Sequence, residues 1–297
     1  MPYKYLILIL LTLSSIQQIA GHNGIVYVEN KGQWNANVRY QAKISNGELY
    51  LEQNCLTFHL WDSKKVSDLY HRTYTINSKA DTTIQCHAFK LELLHANMQA
   101  KIQPQKKEDE YFNYFIGNDP SKWAGGCRGF EEVIYSDIYP NIDLKVYALG
   151  NSVKYDFIVK KGGNIRDIQV RYRGLDSVVI NRQQELLSYH SLGIMRELKP
   201  YTYFKNNQSE RAIESKYTLE GNVLGFEIPN APKLHANESI VIDPTMIFSS
   251  FSGSTADNFG STATYDEAGN LFGAGTVFGA GYPVTLGAYQ TTVNAGS

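Results

Sequence analysis

The residues best suited to chemistry are the carboxylates Glu131, Glu132, Asp137 and Asp143, which gather around two apolar alternating segments in the middle of the chain. A glycosidase needs two carboxyl groups roughly 5 to 10 Å apart in a cleft. These four have suitable types, but acids at strand ends more often serve solubility. His87 and His95 stand eight residues apart, with no carboxylate or thiol at a spacing that implies a shared metal. Asp266, Glu267 and Asn270 offer oxygen ligands of the kind calcium takes. A plain β-turn explains the same three, because Asp and Asn side chains bond their own backbone. Arg171 and Arg173 share one strand face, where they would bind an anionic sugar or simply meet solvent. Gly273, Ala274, Gly275 and Gly279 have the wrong spacing for a dinucleotide loop, and no helix pattern follows them. No GxSxG, HExxH or Walker A motif occurs. The sequence therefore assigns no catalytic, cofactor-binding or metal-binding residue.

The three cysteines, Cys55, Cys86 and Cys127, exclude a fully paired disulfide framework within the chain. One bridge with a spare thiol and three buried free thiols both fit. No pair has CxxC spacing, so neither a zinc knuckle nor a redox pair is indicated.

The elements that must position these groups are strands. Within Tyr111 to Gly163, Ile142, Leu144 and Val146 alternate with polar residues. Beyond Gly150-Asn151, Val153, Tyr155, Phe157 and Val159 do so again. Period-two alternation places one apolar face on each segment, and Gly-Asn permits a hairpin turn. This is the central hairpin. Before it, Gly24 to Leu60 reads as four short strands with turns at Asn30-Lys31-Gly32, Asn46-Gly47 and Gln53-Asn54. Residues 62–83 read as a polar loop, His87 to Leu94 as a strand, and the charged run Gln103 to Glu110 with Pro104 as a solvated connection. Asn118 to Trp123 reads as a turn, with Trp123 packed over the sheet. Short strands follow over Ile165–Arg173, Val178–Ile180, Glu185–Tyr189, Ile194–Leu198, Tyr201–Phe204, Val223–Ile228 and Ile240–Ile242. With no sustained 3.6-residue apolar period after the first twenty residues, the chain is expected to be all-β, with an antiparallel sandwich-like domain over 22–244.

Length and composition agree. The 297 residues are 43% hydrophobic and 19% charged, ample for a core. A net charge of −1 argues against nucleic acid as a partner. Twenty-one tyrosines suit strands and half-wet binding faces. Residues 1–20, with Lys4 before an apolar Leu6–Leu13, read as a signal peptide too short to span a bilayer. No later stretch is apolar enough to span. The mature chain is therefore expected to be exported, to the medium or the outer cell surface.

Asp243-Pro244 marks a boundary. From Ser249 the chain is rich in Gly, Ser, Thr and Ala. Gly260–Tyr265 and Asn270–Thr276 form a second hairpin around Asp266-Glu267-Ala268-Gly269. This tail resembles the SBBP repeat, of seven-bladed β-propeller type, of bacterial surface proteins. The matching residues are Gly253 to Asp257, Ala263 to Asp266, Gly269-Asn270, Gly275-Thr276, Pro283, Thr285 and Gly287 to Gln290. Upstream, Glu29 to Trp34, Val38, Tyr40, Tyr135, Tyr139 to Leu144, Lys154 to Val159, Ile168, Tyr172 and Val241 to Pro244 resemble the uncharacterised β domain that precedes such repeats. The resemblance implies long secreted Bacteroidetes proteins tied to adhesion, gliding motility and type IX secretion, with no enzymatic activity in these regions. A repeat spans about 45 to 50 residues and a propeller needs about four to eight blades. Residues 245–297 are thus expected to be the first blade of a truncated propeller, completed by further repeats in a longer parent chain. The reading of function is a non-enzymatic binding or structural module for an extracellular protein or glycan. The alternative is a carbohydrate-binding or carbohydrate-cleaving domain.

Overall fold

The computed structural model describes residues 24–63, 65, 66, 69, 83–149, 152–206, 209–248, 258–265 and 271–277. Residues 1–20, read from the sequence as a signal peptide, residues 266–270, read as a turn, and Gly279 lie outside them. The central hairpin is present as β8 (Ile142–Leu149) and β9 (Ser152–Lys160), with Leu144 opposite Phe157 and Val146 opposite Tyr155. The alternating apolar side chains of both strands are buried, because they face the core. Lys154 and Asp156, on the opposite face of β9, are also buried, which alternation alone did not indicate.

The N-terminal meander comprises β1 (Tyr27–Glu29), β2 (Tyr40–Ile44), β3 (Gly47–Leu51), β4 (Cys55–Trp61) and β5 (Cys86–Leu93), each antiparallel to the next. Ile44 pairs with Gly47, so Ser45 and Asn46 make the turn and Gly47 opens β3. A Cβ on Gly47 would lie 2.2 Å from the His59 carbonyl oxygen, so close strand approach is what demands glycine there. Between β4 and β5 the expected polar loop starts with helical residues: Ser63, Lys65, Val66 and Leu69. The Val66 N–H donates to Asp62 O at 3.0 Å, and Asp62 Oδ1 accepts from the Lys65 N–H at 3.0 Å. A short polar cap can start a helical turn without any apolar stripe.

The charged run Gln103–Glu110 is not a loose connection. It lies in β6 (Lys101–Tyr114), paired along β7 (Ala124–Tyr139) from Lys101–Ser136 to Tyr114–Ala124. Its side chains are mostly exposed, so it carries no apolar alternation, and its backbone bonds to β7 hold it in place. Pro104 is tolerated because no strand pairs with the outer edge of β6 among the described elements. Lys106 takes φ 53°, beside the register shift that follows Lys107.

The remaining strands are β10 (Val170–Arg173), β11 (Ser177–Ile180), β12 (Leu186–His190), β13 (Gly193–Glu197), β14 (Tyr201–Lys205), β15 (Glu210–Ile213), β16 (Lys216–Glu220), β17 (Val223–Glu227), β18 (Ser239–Asp243) and β19 (Met246–Phe248). The segment expected as one strand from Ile165 opens instead with a 3-10 turn, Ile165–Asp167, capped by the Asn164 side chain. The order in the large antiparallel sheet is β15-β14-β18-β9-β8-β7-β1-β2-β3-β4-β5-β10-β17-β16, with β6 on β7. Val133 pairs with both β6 and β8, and Phe130 with both β6 and β1. β8 and β1 therefore share one edge of β7, which links two wings of the sheet. The far ends of the wings, β15 and β16, are joined by only Glu214 and Ser215.

One apolar cluster draws on both wings, with Tyr27, Leu49, Phe58 and Leu91 from one and Leu144, Phe157 and Ile242 from the other. Phe157 meets Phe226 across it at 5.8 Å. The largest fully buried side chains include Tyr27, Tyr135, Tyr139, Tyr155 and Tyr172. Many tyrosines are thus core residues, and their hydroxyls reach backbone at the rim: Tyr27 to Tyr147 O (3.0 Å), Tyr135 to Glu52 O (3.0 Å), Tyr139 to Gln169 O (3.2 Å). A four-stranded sheet, β11-β12-β13-β19, adds buried Leu186, Met195 and Met246 to the same cluster. In the tail, β20 (Asn258–Tyr265) pairs with β21 (Leu271–Val277), the second hairpin read from the sequence.

Candidate functional site

The distal end of the β6–β7 hairpin gathers exposed aromatic surface. Tyr111 is 60% exposed, Phe115 71%, Ile116 42% and Trp123 45%. Trp123 does not pack over the sheet. Its ring meets Phe115 edge to face at 5.6 Å, and its indole Nε1–H donates to Gly117 O at 3.2 Å. Between the two rings lies the turn expected from Asn118 to Trp123, a 3-10 turn at Pro120–Lys122. Asp119 Oδ1 accepts from the Ser121 N–H (3.0 Å) and hydroxyl (2.7 Å), and these bonds lower the Asp119 pKa.

Beneath the tip the hairpin is tied down. Val28, Ala124 and Cys127 form a small buried cluster with Val26, Trp34, Phe112 and Tyr114 around it. Trp34 meets Tyr114 edge to face at 5.0 Å. Lys31 Nζ donates to Gly126 O at 2.8 Å, and the Arg128 N–H donates to Glu29 Oε1 at 2.9 Å. Beside this cluster lies a groove of about 370 Å³ lined by Val26, Gln41, Lys43, Glu110, Asn113 and Tyr114. The tip supplies stacking faces, and the groove supplies amide, carboxylate and ammonium partners. Exposed rings of this kind suit planar apolar groups, and amide and carboxylate partners suit hydroxylated ones.

The candidate carboxylates occupy two separate ion clusters. Glu132 bonds Lys106 at 2.6 Å and Lys145 at 3.2 Å. Burial raises its pKa, but the two ammonium groups outweigh that and lower it overall. A retained negative charge is the opposite of what a general acid needs. Lys160 Nζ lies 2.8 Å from both Asp137 Oδ1 and Asp143 Oδ1. Asp143 Oδ1 also accepts from the Asp137 N–H, at a residue with φ 50°. Glu131 joins Lys106 at 3.6 Å.

Arg171 and Arg173 both face Glu92 on β5, at 4.0 and 3.2 Å. His87 bonds Ser191 Oγ (2.9 Å) and Gly174 O (2.7 Å), with the His190 ring 5.2 Å away. His95 takes φ 57° in the turn after β5. The calcium candidates Asp266, Glu267 and Asn270 lie outside the described residues, while Gly273, Ala274 and Gly275 sit in β21. Among the described residues no group of three or more His, Cys, Asp or Glu side chains is placed to hold a metal ion. No helix of the described residues is long and apolar enough to cross a membrane. All three cysteines are free; Cys55 and Cys127 are buried, but Cys86 is exposed, against the reading of three buried thiols. Burial pushes the Cys55 thiol up to about 11.

Two ionisable clusters were invisible to sequence reasoning. Glu197 is fully buried and accepts hydrogen bonds from the hydroxyls of Tyr155 (2.7 Å) and Tyr172. Burial raises its pKa to about 7 although both bonds oppose that shift. On the other face of β9, Lys154 Nζ lies 2.7 Å from both Asp243 carboxylate oxygens. Asp156 stands on the same face and accepts from the Tyr147 hydroxyl at 3.2 Å. Burial first, and the charge of Asp243 second, raise its pKa to about 7. Lys154 and Asp156 read as a solvent face, because nothing local shows what covers a strand.

No curated protein matches the chain, and neither does any solved structure. A family model described as a domain of unknown function (DUF7948) matches residues 27–245, a span from β1 to the residue before β19. The chain belongs to that family, DUF7948.

Proposed function

We propose that the chain is a non-enzymatic, exported binding module that engages its ligand through the tip of the β6–β7 hairpin. The observation that carries this is the Phe115–Trp123 pair, open to solvent on a hairpin whose base is anchored by Trp34, Tyr114 and the Lys31 and Glu29 contacts. Large exposed rings on a held scaffold bind at low ordering cost. In this reading the two wings, joined through β7 and through Glu214-Ser215, close on one core as a sandwich. The tail begins a propeller of the SBBP type within a larger adhesion or gliding-linked surface protein. The partner is an extracellular protein or a glycan.

A carbohydrate-binding role is the second reading, favoured by the groove beside the anchoring cluster, which Gln41, Asn113 and Glu110 line together with Phe112 and Tyr114. Immobilised glycan and matrix-protein arrays, run beside a polysaccharide-release assay, test both. Saturable binding without release supports a binding module, and its preference between arrays selects the ligand class. Release of soluble sugar overturns the non-enzymatic reading.

A further inference from the structure

We propose that Lys154 and Asp243 condense into an intramolecular amide, a covalent cross-link between β9 and β18. The geometry begins with register. Ile242 pairs with Phe157, so Asp243 stands across from Asp156, one step further along the two antiparallel strands. A bridge between Lys154 and Thr245 continues the ladder, which places Lys154 diagonal to Asp243 on the same face. Nζ lies at equal distance, 2.7 Å, from both carboxylate oxygens, which leaves the carboxyl carbon between them within its reach.

The surroundings favour condensation over a plain ion pair. The Lys154 side chain is 8% exposed and that of Asp243 14%. Taking two opposite charges out of water costs several kcal/mol each, and an amide removes both charges. A third group, Asp156, lies beside them, held by the Tyr147 hydroxyl. Its carboxyl holds a proton near neutral pH, because burial and the neighbouring Asp243 charge disfavour its ionised form. Such a group can pass protons between amine and leaving oxygen.

The step balances without any co-reactant. The Lys154 ammonium gives up a proton, its nitrogen lone pair attacks Asp243 Cγ, and the Nζ–Cγ bond forms. One Cγ–O bond breaks, and that oxygen leaves as water with two of the three ammonium protons. The third stays on the amide nitrogen. Nothing is oxidised or reduced. Asp156 relays protons and is regenerated.

The test is mass spectrometry of the purified full chain, both intact and after trypsin. The expected result is a species lighter than the sequence by one water, with no cleavage after residue 154. Fragmentation should find a branched peptide joining residues 154 and 243, which separates it from a succinimide at an aspartate. Lys154→Met and Asp243→Ala should lose the branched peptide. Asp156→Asn, which keeps both reacting groups, should leave most chains uncross-linked. A folded native chain of full mass, cut after Lys154, overturns the proposal whatever the variants do.

Discussion

Phe115 and Trp123 touch edge to face at 5.6 Å, yet each leaves close to half of its surface or more in solvent. Rings of this size usually bury themselves within a domain. Here the 3-10 turn at Pro120–Lys122 and the Trp123–Gly117 hydrogen bond fix both at the end of two long paired strands. The tip is thus set apart from the core cluster, which contains neither ring.

Truncating the tip should therefore leave the fold intact. Trp123→Ala and Phe115→Ala are each expected to shift unfolding free energy by no more than about 0.5 kcal/mol, the range of surface changes. Trp34→Ala, which opens the anchoring cluster, should cost about 2–4 kcal/mol, in line with loss of a partly buried aromatic. Urea unfolding of the three variants checks this.

Glu197 ties three parts of the structure together: it stands on β13 and accepts from Tyr155 on β9 and Tyr172 on β10. Tyr155→Phe and Tyr172→Phe each remove one donor from a buried carboxyl. Each is expected to cost about 1–3 kcal/mol. In the double variant the losses should exceed their sum, because the carboxyl is then left without either donor. A double-mutant cycle by chemical denaturation reads this directly.

The same carboxyl sets a pH dependence. Its pKa rises from 4.5 unfolded to about 7 folded, so between those values the folded chain binds the extra proton. Stability then falls as pH climbs from about 4.5 to 7, by on the order of 3 kcal/mol, and is flat above. Asp156, raised from 3.8 to about 7, acts in the same direction. Glu132 acts oppositely, since its lowered pKa makes stability fall as pH drops below its unfolded value of 4.5. Together the two raised carboxyls make stability fall between about pH 4.5 and 7, and Glu197→Gln should lessen that fall while leaving the Asp156 part of it. Thermal melts from pH 4 to 8 compare the two proteins.

Thiol labelling separates the cysteines. Cys86 is exposed, whereas Cys55 and Cys127 are buried. A thiol reagent at pH 8 should modify one cysteine per folded chain and all three in denaturant. Rapid labelling of all three in the folded chain would contradict the described packing.

The alternating segments revealed the core hairpin because inward and outward residues differ in kind, as at Val153, Tyr155 and Phe157. β6 escaped notice because its side chains meet water on most positions, and its place is fixed by backbone bonds that carry no sequence pattern. The turn at Asn118–Trp123 was legible from Asp-Pro chemistry, but Trp123's exposure was not, since hydrophobicity says nothing of what lies opposite. Lys154, Asp156 and Asp243 meet across β9 and β18, 89 residues apart at Lys154 and Asp243. Only pairing reveals such a cluster.

The most direct measurement is binding of the full chain, and of a Phe115→Ala/Trp123→Ala double variant, to immobilised glycan and matrix-protein arrays. The expected result is saturable wild-type binding on at least one array and a loss of at least about tenfold in the equally folded variant, the share that aromatic anchors commonly carry. Equal binding by the two proteins would contradict the hairpin tip as the ligand-contacting surface.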